Sequence, residues 1–246
     1  MTLEICAYSL TACRIAQRAG AGRVELCTGQ GEGGLTPSAG LMQLARRHLT
    51  IPLYVMIRPR GGDFCYTDDE VAVMLADIDA ARRAGADGVV LGCLRPDGTV
   101  DETMTRRFVA QAQPMGVTFH RAFDLTRDPY EALEAVIRTG AERLLTSGQQ
   151  PSAEAGAPLL RALVDRAAGR LEIMAGAGVN SGNAPLLGQT GVTALHLSGS
   201  ARSDSPMTYR PTTVPMASAR PGDYERLETD EATVRAVLKA LSTKNF

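Results

Sequence analysis

Short apolar runs alternate with longer amphipathic stretches along the whole chain. Runs of strand length fall at 3–6, 23–27, 52–58, 88–91, 116–120, 143–146, 171–175 and 194–198, and segments of helical length separate them. The 3.6-residue period is clearest over 69–84, where Val73, Leu75, Ile78 and Ala81 mark one side, and over 130–139, through Leu133, Val136 and Ile137. Pro37 after Thr36 and Pro129 after Asp128 read as helix starts. Eight such units over residues 1–246 predict an α/β fold, a TIM-type (β/α)8 barrel in a single domain. A doubly wound open sheet uses the same alternation and is the competing arrangement.

Four of the units begin alike, at Gly20-Ala21-Gly22, Gly85-Ala86-Asp87, Gly140-Ala141-Glu142 and Gly191-Val192-Thr193. Glycine after a helix takes the left-handed turn cheaply, so the recurrence is explained by turn chemistry as well as by common ancestry. The rhythm breaks at 201–226, which holds Pro206, Pro211, Pro215 and Pro221 and predicts an irregular loop over the carboxyl-terminal mouth of the barrel.

Inside the strands the polar residues keep to one parity. Glu4 and Cys6, Glu25 and Cys27, Arg58, His120 and His196 all oppose the apolar residues of their runs, so a closed barrel would turn them inward together. Such a set is expected at a site.

The formal charge of −1 and the scattering of the 26 basic residues leave no basic face for nucleic acid or anionic lipid. The expected partner is a small molecule or an ion. No apolar run approaches the roughly 18 residues that span a bilayer, and Glu4 stands where a signal peptide is basic, so the expected location is cytoplasmic. Cysteines at 6, 13, 27, 65 and 93 make an odd set without a Cys-x-x-Cys pair and are read as reduced thiols.

Several groups carry chemistry. Gly29-Gln30-Gly31-Glu32-Gly33-Gly34 matches a dinucleotide fingerprint, but the next strand ends in Arg58 where an acid is needed, so it reads as a glycine turn and no organic cofactor is expected. Gly176 and Gly178 follow the seventh strand, and Ser198, Gly199 and Ser200 follow the eighth; in barrels those loops commonly hold phosphate. Arg58 and Arg60 on a proline-stiffened loop add grips for an anion, or Arg58 neutralises Glu4 or Glu25. Glu4, Glu25, His120, Asp124 and His196 are acid and base candidates. Cys6 and Cys27 are either small apolar fillers or two soft thiolates for Cu(I) or zinc, with His120 or His196 completing the site.

At these residues the chain resembles the CutC family of copper homeostasis proteins. The resemblance is carried by Glu4-Ile5-Cys6, Arg23-Val24-Glu25-Leu26-Cys27, Gly33-Gly34-Leu35-Thr36-Pro37-Ser38, the long run from Val55 to Phe64, Gly85-Ala86-Asp87-Gly88, Thr118 to Asp124, and Leu145-Thr146-Ser147-Gly148. It implies a TIM-type barrel, a cytoplasmic homo-oligomer, a dimer or tetramer, and Cu(I) binding with Cys6 and Cys27 as the ligands. Leu197, between His196 and Ser198, stands where some members carry a further cysteine. Two functions follow: a copper homeostasis protein, or a barrel enzyme acting on a small anionic, phosphorylated molecule.

Overall fold

The computed structural model describes residues 1–211, 213–214 and 222–242. Eight parallel strands close on themselves: β1 (Thr2–Ala7), β2 (Arg23–Leu26), β3 (Leu53–Met56), β4 (Gly88–Leu91), β5 (Gly116–Phe119), β6 (Arg143–Thr146), β7 (Glu172–Gly176) and β8 (Ala194–Leu197). Closure is made where β8 returns to β1, with Glu4 opposite His196 and Ile5 opposite Leu197. The open sheet is thereby excluded.

Alternation decides which residues meet. Leu3, Ile5, Val24, Leu26, Val55, Ile57, Val89, Leu91 and Phe119 point outward and join one continuous apolar core under the helices. Cys6, Cys27, Tyr54, Met56 and Val90 form a separate cluster inside the barrel. Each strand is therefore buried on both sides, as parallel sheets require.

The helices are α1 (Leu10–Ala19), α2 (Ala39–His48), α3 (Asp68–Ala84), α4 (Glu102–Ala112), α5 (Pro129–Thr139), α6 (Ala157–Ala167), α7 (Ala184–Gly188) and α8 (Glu231–Ser242). Several of their starts carry side-chain caps. The Ser9 hydroxyl accepts from the Ala12 N–H, Thr67 and Glu70 make a reciprocal capping box, and Asp128 caps α5 with Pro129 in its first turn. Helix α2 begins at Ala39 under a Ser38 cap, two residues later than Pro37 suggested. The buried face of α3 is Val71, Met74, Ile78 and Ala81, whereas Val73 is 49% exposed and Leu75 only half-buried. At 3.6 residues per turn Val71 lies almost two full turns before Ile78, while Val73 falls on the far side. The recurrent glycines are helix ends: Gly20, Gly85 and Gly140 cap α1, α3 and α5 with φ of 99°, 83° and 83°, and Gly191 has φ 88°.

The segment expected to be an irregular loop over 201–226 is strand at both ends. β9 (Ser200–Asp204) pairs antiparallel with β10 (Glu225–Thr229) before α8 begins. Its sequences, SARSD and ERLET, are dominated by polar residues, β9 mostly exposed and β10 mostly half-buried, so they show no apolar alternation to announce a strand. Pro206 and Pro211 lie between the two strands, and Pro215 and Pro221 lie outside the described residues. The ribbon is tied to the barrel mouth: Ser9 donates to Glu228, Gln30 to Ser200, and the Thr229 hydroxyl to the Ser198 carbonyl. Among the described residues no helix is long and apolar enough to cross a membrane.

Candidate functional site

The amino-terminal end of the barrel is plugged. Arg23 pairs with the fully buried Glu4, and the Tyr54 ring lies between two guanidinium groups, 5.1 Å from Arg23 and 5.3 Å from Arg143. The Tyr54 hydroxyl donates to Glu142 at 2.5 Å, and Arg143 reaches Glu172 at 2.7 Å and the Thr118 hydroxyl at 3.1 Å. Arg23, Tyr54 and Arg143 share the inward parity of the candidate site residues and add to them at this end of the barrel.

The other end opens into a cavity of about 670 Å³, within the range that takes small-molecule ligands. One wall comes from β1, β2 and β8. His196 Nδ1 lies 2.8 Å from Glu4 Oε1, and its Nε2 lies 3.6 Å from Glu25 Oε2. The Cys6 and Cys27 sulfurs are 3.6 Å apart, and Cys27 is 3.5 Å from Glu25 Oε2. Ligand atoms of Cys6, Glu25 and His196 all fall within 4.8 Å of one another, so these three can hold a metal ion, with the Cys27 thiol against two of them. Gly176 makes room for this: a Cβ there would stand 3.1 Å from the His196 Cβ and 2.6 Å from Leu145.

The charges on this wall follow from its neighbours. Burial works to raise the Glu4 carboxyl, but His196 and Arg23 outweigh it and hold it at about 2. Burial opposes a charge on His196, but the surrounding Glu25, Cys6 and Glu4 raise it well above the usual imidazole range. The adjacent Cys27 thiol lowers Cys6 more than burial raises it, and His196 adds to the effect. Burial, then Cys6, pushes Glu25 well up, and burial does the same for Cys27. The wall therefore drives its groups apart: Glu4 and the Cys6 thiol are pushed toward their ionised forms and His196 toward imidazolium, while Glu25 and Cys27 are pushed toward their protonated forms.

The opposite wall comes from the ends of β3 and β5. Arg58 donates to the carbonyls of Glu32, Gly34 and Gly62, and its guanidinium lies 4.8 Å from the Phe64 ring centre. It neutralises neither Glu4 nor Glu25; Arg23 serves Glu4. His120 stands 4.8 Å from the same Phe64 ring, and its Nδ1 accepts from the Ala122 N–H. Burial, helped by the Arg58 charge, depresses His120 to about 3, so it is neutral. Here again a glycine clears the ring, since a Cβ on Gly92 would lie 2.6 Å from His120 Nδ1.

The remaining sequence candidates divide. Gly178, Ser198, Gly199 and Ser200 line the cavity mouth, whereas Gly176 is buried against His196 and Leu145. Arg60 turns away to Glu70 at 2.5 Å and Asp63 at 3.2 Å. Asp124 reaches the cavity but accepts from Arg121, Thr146, Ser147 and Gln149, which makes it an anchor of the neighbouring loop rather than a partner for His120. Tyr8, absent from the sequence reading, packs against the cysteine cluster and lines the cavity.

The profile of the CutC family matches residues 1–201. A CutC family protein of Chromobacterium violaceum is 51% identical over 97% of each chain. A human protein named copper homeostasis protein cutC homolog is 44% identical over 96% of this chain and 87% of its own. Among solved structures, one from Streptococcus agalactiae described as a candidate copper homeostasis protein CutC superposes with a TM-score of 0.77 at 34% identity, covering 80% of this chain and 98% of that one.

Proposed function

The chain belongs to the CutC family, and from that footing we propose that it acts in copper homeostasis by binding Cu(I) at Cys6 and Cys27, with His196 within reach as a third donor. One observation carries the reading: two thiols lie 3.6 Å apart, and the one that lines the cavity, Cys6, shares that wall with the His196 imidazole. Thiolate and imidazole are donors that suit soft Cu(I), whereas the hard carboxylate of Glu25 does not. Cys6 and His196 line the cavity, and Cys27 stands behind Cys6, fully buried. Copper enters this account as cargo, and the five free thiols agree with a reducing cytoplasm.

The test is competition for Cu(I) against a chromogenic chelator. Wild type is expected to take copper from the chelator and the Cys6→Ser, Cys27→Ser double variant to leave it there with an unchanged circular dichroism spectrum. Equal competition by both proteins would place the copper elsewhere. Because Cys27 and His196 are protonated beforehand, binding should release protons and tighten as pH rises.

A further inference from the structure

Three residues lining the mouth cavity carry a buried polar atom without a partner among the described residues: Glu25 Oε1, Arg58 Nε and His120 Nε2. The copper reading uses the wall that contains Glu25. It leaves the other two unexplained.

Both are donors. Because His120 Nδ1 accepts the Ala122 N–H, the ring proton sits on Nε2, so an N–H group is buried with nothing to receive it. Arg58 spends its terminal nitrogens on three backbone carbonyls and keeps Nε–H unused. Those carbonyls hold the guanidinium in place without cancelling its charge, and among the described residues Arg58 has no carboxylate partner. Asp124, the acid on this side, is already committed to Arg121 and the loop after β6. Arg58 and His120 are 6% and 4% exposed, both flank Phe64 and both line the cavity, so a buried, uncompensated cation and a buried, unused donor belong to the same part of the wall. Natural interiors rarely leave either group so.

We infer that Arg58 and His120 form an oxyanion subsite, taking the carboxylate or phosphate of a small organic molecule whose remainder occupies the mouth. A neutral carbonyl would answer the donors but leave the Arg58 charge uncancelled; an oxyanion answers both. The cavity of about 670 Å³ is far larger than a metal ion needs, which gives the anion a body. The subsite shares no residue with the thiol wall and stands whether or not copper binds there.

The test uses metal-free protein in the presence of a chelator, so its outcome is separate from that of the copper experiment. Glycerol 3-phosphate, inorganic phosphate and malonate are titrated calorimetrically, with glycerol as the neutral control. At least one anion should bind saturably and glycerol should not; a preference for malonate assigns a carboxylate ligand, and a preference for glycerol 3-phosphate a phosphate ester. His120→Phe, which removes the donor, should weaken that anion about tenfold or more, while His120→Gln, whose amide replaces the Nε2–H, should restore most of the loss. Since substitution can disturb the fold, the His120 Nε2–H resonance of ¹⁵N-labelled wild type is followed in the same titration and should move with saturation. No anion binding to wild type, a stationary resonance, or equal binding by His120→Phe would each overturn the subsite.

Discussion

His196 and His120 line one cavity from strands three positions apart around the barrel, each turned inward near the end of its strand and each given room by a glycine at the end of the strand before. Burial alone would keep both neutral. Only His120 obeys, because its nearest ionised neighbour is the Arg58 cation; around His196 the acids Glu4 and Glu25 and the Cys6 sulfur reverse the outcome. The same residue type in the same fold is thus pushed toward imidazolium on one side, where it also lowers the Cys6 thiol, and held as a neutral N–H donor on the other. What shares the burial decides the charge, not the burial itself.

The contrast breaks most completely through Glu4. Glu4→Gln leaves Arg23 buried without its carboxylate and removes the acid that fixes His196, so it should cost about 3–5 kcal/mol of folding stability in urea denaturation. A loss below 1 kcal/mol would mean that the floor pair is replaceable.

The second break is in pH. His120 is held at about 3 in the folded chain against 6.5 unfolded, so between those values the unfolded state carries the extra proton. Its contribution is complete above about pH 6.5 and falls on acidification, by up to about 1.4 kcal/mol per pH unit. Glu4 adds a similar loss only below its own ordinary value of 4.5. Between pH 6.5 and 4.5 His120→Gln should therefore lose less stability on acidification than wild type, Glu25 acting alike in both, and parallel curves would show that His120 is already protonated when folded.

The smallest effect sharpens the comparison. Gly92→Ala pushes a methyl against His120 and Gly176→Ala pushes one against Leu145 and His196. Each overpacking should cost about 1–3 kcal/mol. In binding, Gly92→Ala should impair the anion and spare Cu(I), and Gly176→Ala should do the opposite; a common loss of both ligands in either variant would join the two walls into one site.

Much of this was legible in the chain because a strand has only two faces. Parity alone put Glu4, Cys6, Glu25, Cys27, Arg58, His120 and His196 in one interior, and all seven are found there. Parity does not say who stands beside whom around the barrel. That is why Arg58 was offered to Glu4 when register gives Glu4 to Arg23 and His196. The floor escaped notice because Arg23, Tyr54 and Arg143 sit at or near strand beginnings, where an arginine reads as a solvated edge. Gly176 was assigned to an anion because a glycine pattern records where a side chain is absent, not what fills the space. The ribbon of β9 and β10 lacks any apolar stripe and could be found only from its partner strand.

The plug of Arg23, Tyr54 and Arg143 has a consequence for traffic. With that end sealed, the barrel is a well and not a channel, and whatever arrives at the thiol wall or the arginine wall must leave by the opening it came through. An ion or small molecule bound at either wall would not pass through to the other side of the molecule. A bulky occupant of the mouth would slow the escape of anything already beneath it, so exchange with a donor or an acceptor must use the same face of the protein, one visitor at a time.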